Sequence, residues 1–150
     1  MISKKTKYAL KALSILGADY SNHQPMLISD LAAQGKIPRK FLELILLDLK
    51  NHGILSSKMG KGGGYYLAKP PDQIRIGSVI RIFEGPLSPL PCLSKTAYRR
   101  CEECFDEQSC GIRLVMKEAY EAQARILDSA SLQDVLDKSS DCDSIGLYSI

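Results

Sequence analysis

The chain has 150 residues, 45% of them hydrophobic and 25% charged, with a formal net charge of +3. That length allows one domain, or a small domain with an appendage, and the composition is that of an ordinary globular protein. No apolar run approaches the ~20 residues of a membrane helix, and the basic start from Met1 to Lys5 is followed by no signal-peptide cleavage pattern. The expected location is therefore the cytoplasm, where thiols stay reduced and the five cysteines do not form a disulfide scaffold.

The first predicted helix runs from Ser3 to Tyr20, with Tyr8, Ala9, Ala12, Leu13, Ile15 and Leu16 at helical spacing. Ser21 to Pro25 breaks it. A short helix follows over Ser29 to Gln34, with Ser29 as its N-cap, and Gly35 supplies a turn. A third helix spans Pro38 to Asn51, where Pro38 suits the first helical position and Phe41, Leu42, Ile45, Leu46 and Leu49 form an apolar stripe. Gly53 ends it. Two strands, Ile54 to Lys58 and Tyr65 to Ala68, flank the glycine-rich tip Gly60-Lys61-Gly62-Gly63-Gly64. Ile76 to Phe83 reads as another short helix. Gly85 to Cys110 reads as an irregular loop carrying Pro86, Pro89 and Pro91, and its length is uncommon without a functional reason. A long helix from Gly111 to about Asp128 carries Ile112, Val115, Met116, Ala119, Ala122, Gln123 and Ile126 on one face, close to a coiled-coil seam. Ser131 to Leu136 adds one more turn, and the tail from Ser139 is expected to be disordered.

The fold class expected is mainly α with a small β-hairpin wing: a winged helix-turn-helix with a long C-terminal dimerisation helix. The divisions are a DNA-binding domain over 1–84, a cysteine-rich sensor loop over 85–110, a dimerisation region over 111–138 and the tail over 139–150. Charge supports the division. Residues 1–70 hold eleven Lys/Arg against four Asp/Glu, a net of +7, and residues 71–150 hold nine against thirteen, a net of −4. A basic front half suits a polyanionic partner.

A helix-turn-helix enters the major groove with the N-terminus of its second helix. Pro38, Arg39, Lys40 and Glu43 are therefore the candidate DNA-contacting residues: the cations for phosphates or guanine edges, the carboxylate for the cytosine amino group. Ser29 can meet a phosphate at the start of the bracing helix. Lys58, Lys61, Gly62, Gly63 and Tyr65 belong to a hairpin small enough to lie against the minor groove. The nucleotide-binding glycine motifs are absent, and His23 and His52 lie in a turn and at a helix end with no nucleophile motif, which argues against an enzyme. Cys92, Cys101, Cys104 and Cys110 lie within nineteen residues, and such clustered thiols suggest a metal or redox role.

The runs Ile37-Pro38-Arg39-Lys40-Phe41-Leu42-Glu43, Leu49-Lys50-Asn51-His52-Gly53-Ile54-Leu55 and Gly60-Lys61-Gly62-Gly63-Gly64-Tyr65 resemble the Rrf-type family of winged-helix regulators. Its branches include the iron–sulfur cluster regulator IscR, the nitric-oxide sensor NsrR and the cysteine-metabolism regulator CymR. The resemblance implies a homodimer with crossed C-terminal helices, each subunit presenting one winged helix to half of a palindromic double-stranded DNA operator. It also implies that Glu43 sits where the iron–sulfur branch reads a base, and that Met59 replaces a basic wing residue, shifting minor-groove contact to Lys58 or Lys61.

In cluster-bearing relatives three loop cysteines hold iron. Cys104 and Cys110 match the last two, and the first is Cys92 or Cys101. The family's non-cysteine fourth ligands do not carry over, since Arg113 and Lys7 occupy those positions. Four thiolates, Cys92, Cys101, Cys104 and Cys110, are the simplest site for an iron–sulfur cluster, of two-iron or four-iron type. Zinc is the alternative metal, though the gap between Cys92 and Cys101 is long for it. Metal-free redox thiols, or control by a protein partner as in the cysteine-metabolism branch, complete the alternatives. Arg99, Arg100 and Arg113 are expected to lower the thiol pKa values, with Glu102, Glu103, Asp106 and Glu107 opposing them.

Overall fold

The computed structural model describes residues 2–144. They form α1 (Lys4–Ala18), α2 (Ile28–Gly35), α3 (Arg39–Asn51), β1 (Leu55–Lys58), β2 (Gly64–Leu67), α4 (Ile76–Glu84), α5 (Gly111–Ser129) and α6 (Leu132–Ser144). The fold is mainly α with one antiparallel hairpin, in the register Leu55 opposite Leu67 and Lys58 opposite Gly64. Between α4 and α5 the chain is irregular apart from one 3-10 turn at Pro91–Leu93.

The head is assembled around α1. Ala9, Ala12 and Leu13 are fully buried against Leu31 of α2 and Leu42, Ile45, Leu46 and Leu49 of α3. The spacing of those α3 leucines and isoleucine covers one helical face, so removing it from water holds α2 and α3 at a set angle. Phe41 does not join that stripe; it is exposed. At about 100° per residue, Phe41 falls at the edge of the face centred on Leu42, Ile45, Leu46 and Leu49 rather than within it.

Helix α2 starts before the serine expected to cap it. Leu27 is the N-cap, no side chain caps the helix, and Ser29 lies inside the first turn. The cause is tertiary: Met26 pairs with Tyr65 in both directions, N–H to O at 2.9 Å each way, so extended chain ends at Leu27 and helix begins immediately. The turn after α2 also differs from expectation. Lys36, not Gly35, takes the left-handed conformation, with φ 49°. Its N–H donates to Ala33 O, and Ile37 N–H donates to Ala32 O, closing the helix in a Schellman pattern. Gly35 is needed for packing instead, since a Cβ there would lie 2.9 Å from Ile37 Cδ1. Pro38 occupies the N-cap position of α3, one residue before the first helical position expected.

Helix α5 leaves the head. Its C-terminal end is clamped to α4 by Arg81–Asp128 at 2.5 Å, and Ile76 N–H donates to Ala130 O at 2.9 Å. Gly77 permits this approach, because a Cβ would stand 2.2 Å from Asp128 Oδ1. No residue of α5 is buried, and Ile112, Val115, Ala119, Ala122 and Ile126 follow the alternating three-four spacing of a coiled-coil seam. Helix α6 then returns to the head, where Leu132 is fully buried beside Gly17 of α1. The segment from Ser139, expected to be disordered, continues α6 as helix to Ser144. The remainder of that tail, 145–150, lies outside the described residues. The extra turns follow from the anchoring of α6 by Leu132, supported by an N-terminal cap in which Ser131 and Asp134 exchange hydrogen bonds.

Candidate nucleic-acid interface and cysteine loop

Four of the DNA-contact candidates come together. Ser29 of α2, Arg39 of α3, Lys58 of β1 and Tyr65 of β2 line one groove of about 360 Å³. Lys50 lines it too, donating to Ser57 Oγ at 2.6 Å. Neither Lys50 nor Ser57 is among the sequence candidates. Lys50 was within reach of helical periodicity, since it lies eleven residues after Arg39, three turns on and on the same side. The groove joins the uncapped N-terminus of α2 to three cationic side chains, an arrangement suited to a phosphate. Pro38, Lys40 and Glu43 are exposed on or beside α3 but outside the groove lining. Arg39 Nε donates to Glu43 Oε1 at 3.2 Å in an exposed i,i+4 pair. Such a pair contributes little to stability, so both groups can be exchanged onto DNA at low cost.

In the wing, Lys61 and Gly62 are exposed at the tip, whereas Gly63 is buried against the β1 backbone. Gly64, at φ 141°, is where β2 crosses the Met26 backbone; a Cβ would meet Met26 O at 2.3 Å. The glycine run thus serves close backbone approach as well as turning. Met59 projects beside it, 91% exposed.

The N-terminus of the head is tied to the entrance of the cysteine loop. Ser3 caps α1, its side chain accepting from Thr6 N–H, while Ser3 N–H donates to Glu84 Oε1 at 2.6 Å. The buried Thr6 hydroxyl donates to the same carboxylate oxygen. These bonds hold the Glu84 carboxyl down at about 2, first through the Ser3 and Thr6 side chains and then through the Ser3 backbone.

All four loop cysteines line a cavity of about 330 Å³ beside the start of α5, with Arg99, Arg100 and Arg113 in its wall. Cys92 is buried, Cys104 and Cys110 are half-buried and Cys101 is exposed. The Cys104 thiol is shifted up, chiefly by desolvation and then by hydrogen bonding and charge from Cys110, with Cys101 and Cys92 adding to it. For Cys104 the arginine effect expected from sequence is therefore reversed: desolvation dominates, and the neighbouring sulfurs add to it. Among the described residues no three His, Cys, Asp or Glu side chains converge on a point that could hold a single metal ion. A larger group fits this wall better. The donors are soft thiols, the volume exceeds that of one ion, and Arg113 Nε is buried with no hydrogen-bond partner. Four thiolates are the ordinary ligand set of an iron–sulfur cluster, whose sulfurs accept hydrogen bonds.

Comparison with known proteins agrees with the winged head. The profile of the Rrf2 family, described as iron-dependent transcriptional regulator, matches residues 2–138. The chain belongs to the Rrf2 family. An rrf2-like helix-turn-helix regulator of Rhodobacter capsulatus is 42% identical over 138 residues, covering 91% of this chain and 92% of that protein. The regulator NsrR of Geobacillus kaustophilus is 35% identical over 136 residues, covering 91% and 89%. Among solved structures, the Rrf2-type fold is matched by CymR, the global cysteine regulator of Bacillus subtilis. The TM-score is 0.76 at 28% identity, covering 92% of this chain and 97% of that one. Rrf2 relatives are transcriptional regulators rather than enzymes. No helix among the described residues is long and apolar enough to cross a membrane.

Proposed function

We propose that this Rrf2 regulator is a cytoplasmic homodimer that binds a palindromic operator and senses through an iron–sulfur cluster held by Cys92, Cys101, Cys104 and Cys110. The observation that carries the reading is the shared cavity of the four thiols, with the unpartnered Arg113 Nε in its wall. A cluster bound there supplies a centre that reacts with oxidants and nitric oxide and is lost when iron is scarce. The chain itself provides the linkage. The loop carrying the thiols joins Glu84, tied to the first turn of α1, to Gly111, where α5 begins. Ordering that loop biases the angle between head and α5, and hence the spacing of two heads in a dimer. Arg39, Lys40 and Glu43 would read the major groove, Ser29 and Lys50 would take phosphates, and Lys58 and Lys61 would follow the minor groove.

Purification without air tests this directly. The expected product is brown, with iron and sulfide in comparable amounts and little zinc, and stripping the cluster changes operator affinity by about tenfold or more. Equal affinity of loaded and stripped protein, or of a Cys104→Ala/Cys110→Ala variant, would overturn the switch. A metal-free thiol or partner-controlled regulator is the second reading, favoured by the similarity to CymR; colourless, iron-free protein that still binds DNA selects it.

A further inference from the structure

We propose that Leu44 is a specificity-determining residue that recognises the C5-methyl group of thymine in the major groove. The inference rests on the assignment of α3 as the DNA-reading helix. On α3, Lys40, Leu44, Leu47 and Asn51 follow one another at four-, three- and four-residue steps, which aligns them in a single row. That row is opposite the buried face of Leu42, Ile45, Leu46 and Leu49. It is therefore the centre of the surface α3 presents outward, and Leu44 stands on it 60% exposed.

A single exposed leucine needs no explanation. Here two successive turns carry one, Leu44 and Leu47, in line with Lys40 and outside the buried cluster of the head. The charges around the row indicate the occupant. Glu43 is paired with Arg39 and Asp48 with Lys5, which leaves Lys40 as the positive group in the row, while Lys50 and Lys58 line the groove on another side of α3. An apolar row headed by Lys40, on a helix that also carries the cationic groove, suits a polyanion that also offers an apolar group. On duplex DNA the base edges of the major groove are polar except at the thymine methyl. A leucine can gain there, and only there, by removing apolar surface from water. Leu44 lies one turn after Lys40, near the end of α3 that enters the groove, so it reaches the base edges before Leu47 does. Glu43 precedes it in sequence and is a natural acceptor for a cytosine amino group, so the two would read neighbouring pyrimidines.

The test begins with the full-length protein and a randomised double-stranded DNA library. The enriched duplex is then remade with each thymine in turn replaced by deoxyuridine, which deletes only the methyl. The expected result is one position in each half-site where the replacement weakens binding about fourfold. Leu44→Ala should weaken binding of the thymine duplex by a similar factor and bind the deoxyuridine duplex no worse. Leu44 is a surface residue, so the substitution leaves the core intact. Insensitivity to every replacement, or a Leu44→Ala protein that still distinguishes thymine from deoxyuridine, overturns the role of Leu44. A Leu44→Ala protein that changes its sedimentation while binding DNA as before also overturns it, by making the row a protein contact. A library from which no sequence is enriched defeats the DNA-reading assignment itself, which is a separate failure.

Discussion

In the head, Leu13, Leu31, Leu42, Ile45, Leu46 and Leu49 are wholly buried, whereas along α5 no residue is buried and Ile112 and Val115 remain 72% and 67% exposed. Both regions are helical and similarly amphipathic in sequence. They differ in what their apolar faces have to pack on. The α3 stripe finds α1 and α2 within the same chain, while the outer seam of α5 finds no cover among the described residues. The head therefore carries its own stability, and the seam of α5 is complete only when another surface covers it. A second α5 is the simplest cover, since the seam has the spacing of a helix that pairs with a copy of itself.

The strongest way to break that contrast is to place a charge on the seam. Val115→Glu should leave the head folded, yet convert the protein to a monomer in sedimentation. Loss of simultaneous binding by two heads should then lower operator affinity by about 100-fold or more. If the variant stayed dimeric, the seam would not be the interface.

Leu46→Ala sharpens the other side of the contrast. It empties a fully buried site in the head and should cost about 2–5 kcal/mol in chemical denaturation. The same truncation at Ile112 should cost the monomer almost nothing. Comparable losses at the two sites would show that the arm, too, is held by its own chain.

The smallest effect is expected at the junction of the regions. The Glu84 carboxyl is held at about 2 in the folded protein, below its ordinary value of 4.5, so it favours the folded state when ionised. Its contribution is complete above about pH 4.5 and is lost as pH falls toward 2. Glu84→Gln should therefore lower the melting temperature modestly at neutral pH, with the difference from the parent shrinking through that acid window. A difference independent of pH would assign the effect to packing rather than to the ionised clamp.

Much of the head was legible from sequence because its signals are local. The periodic leucines of α3, Gly53 after it and the glycine-tipped hairpin each state a backbone preference within a few residues. The places where that reading slipped have causes far along the chain. Ser29 does not cap α2, because Met26 pairs with Tyr65 and so decides where the helix begins. Phe41 leaves the core stripe and Lys50 enters the groove, and both follow from how α3 is rotated against α1 and β1. The cysteine spacing marked the loop as chemically active, but could not give Cys104 a raised thiol pKa. That shift comes from burial and from the three other sulfurs around it.

The sequence by itself determined the element types, the split between basic head and acidic arm, and the thiol-rich loop between them. These depend on periodicity, turn chemistry and composition, all carried by short stretches of chain. Only the tertiary structure decided which apolar faces are satisfied. It buried the α3 stripe, left the α5 seam bare and set Leu44 in the middle of the outward face of α3. It also tied the Ser3 cap of α1 to a carboxylate from residue 84 and gathered four cysteines around one cavity. Packing partners and hydrogen-bond partners lie across the fold, and a linear pattern does not specify which of them will meet.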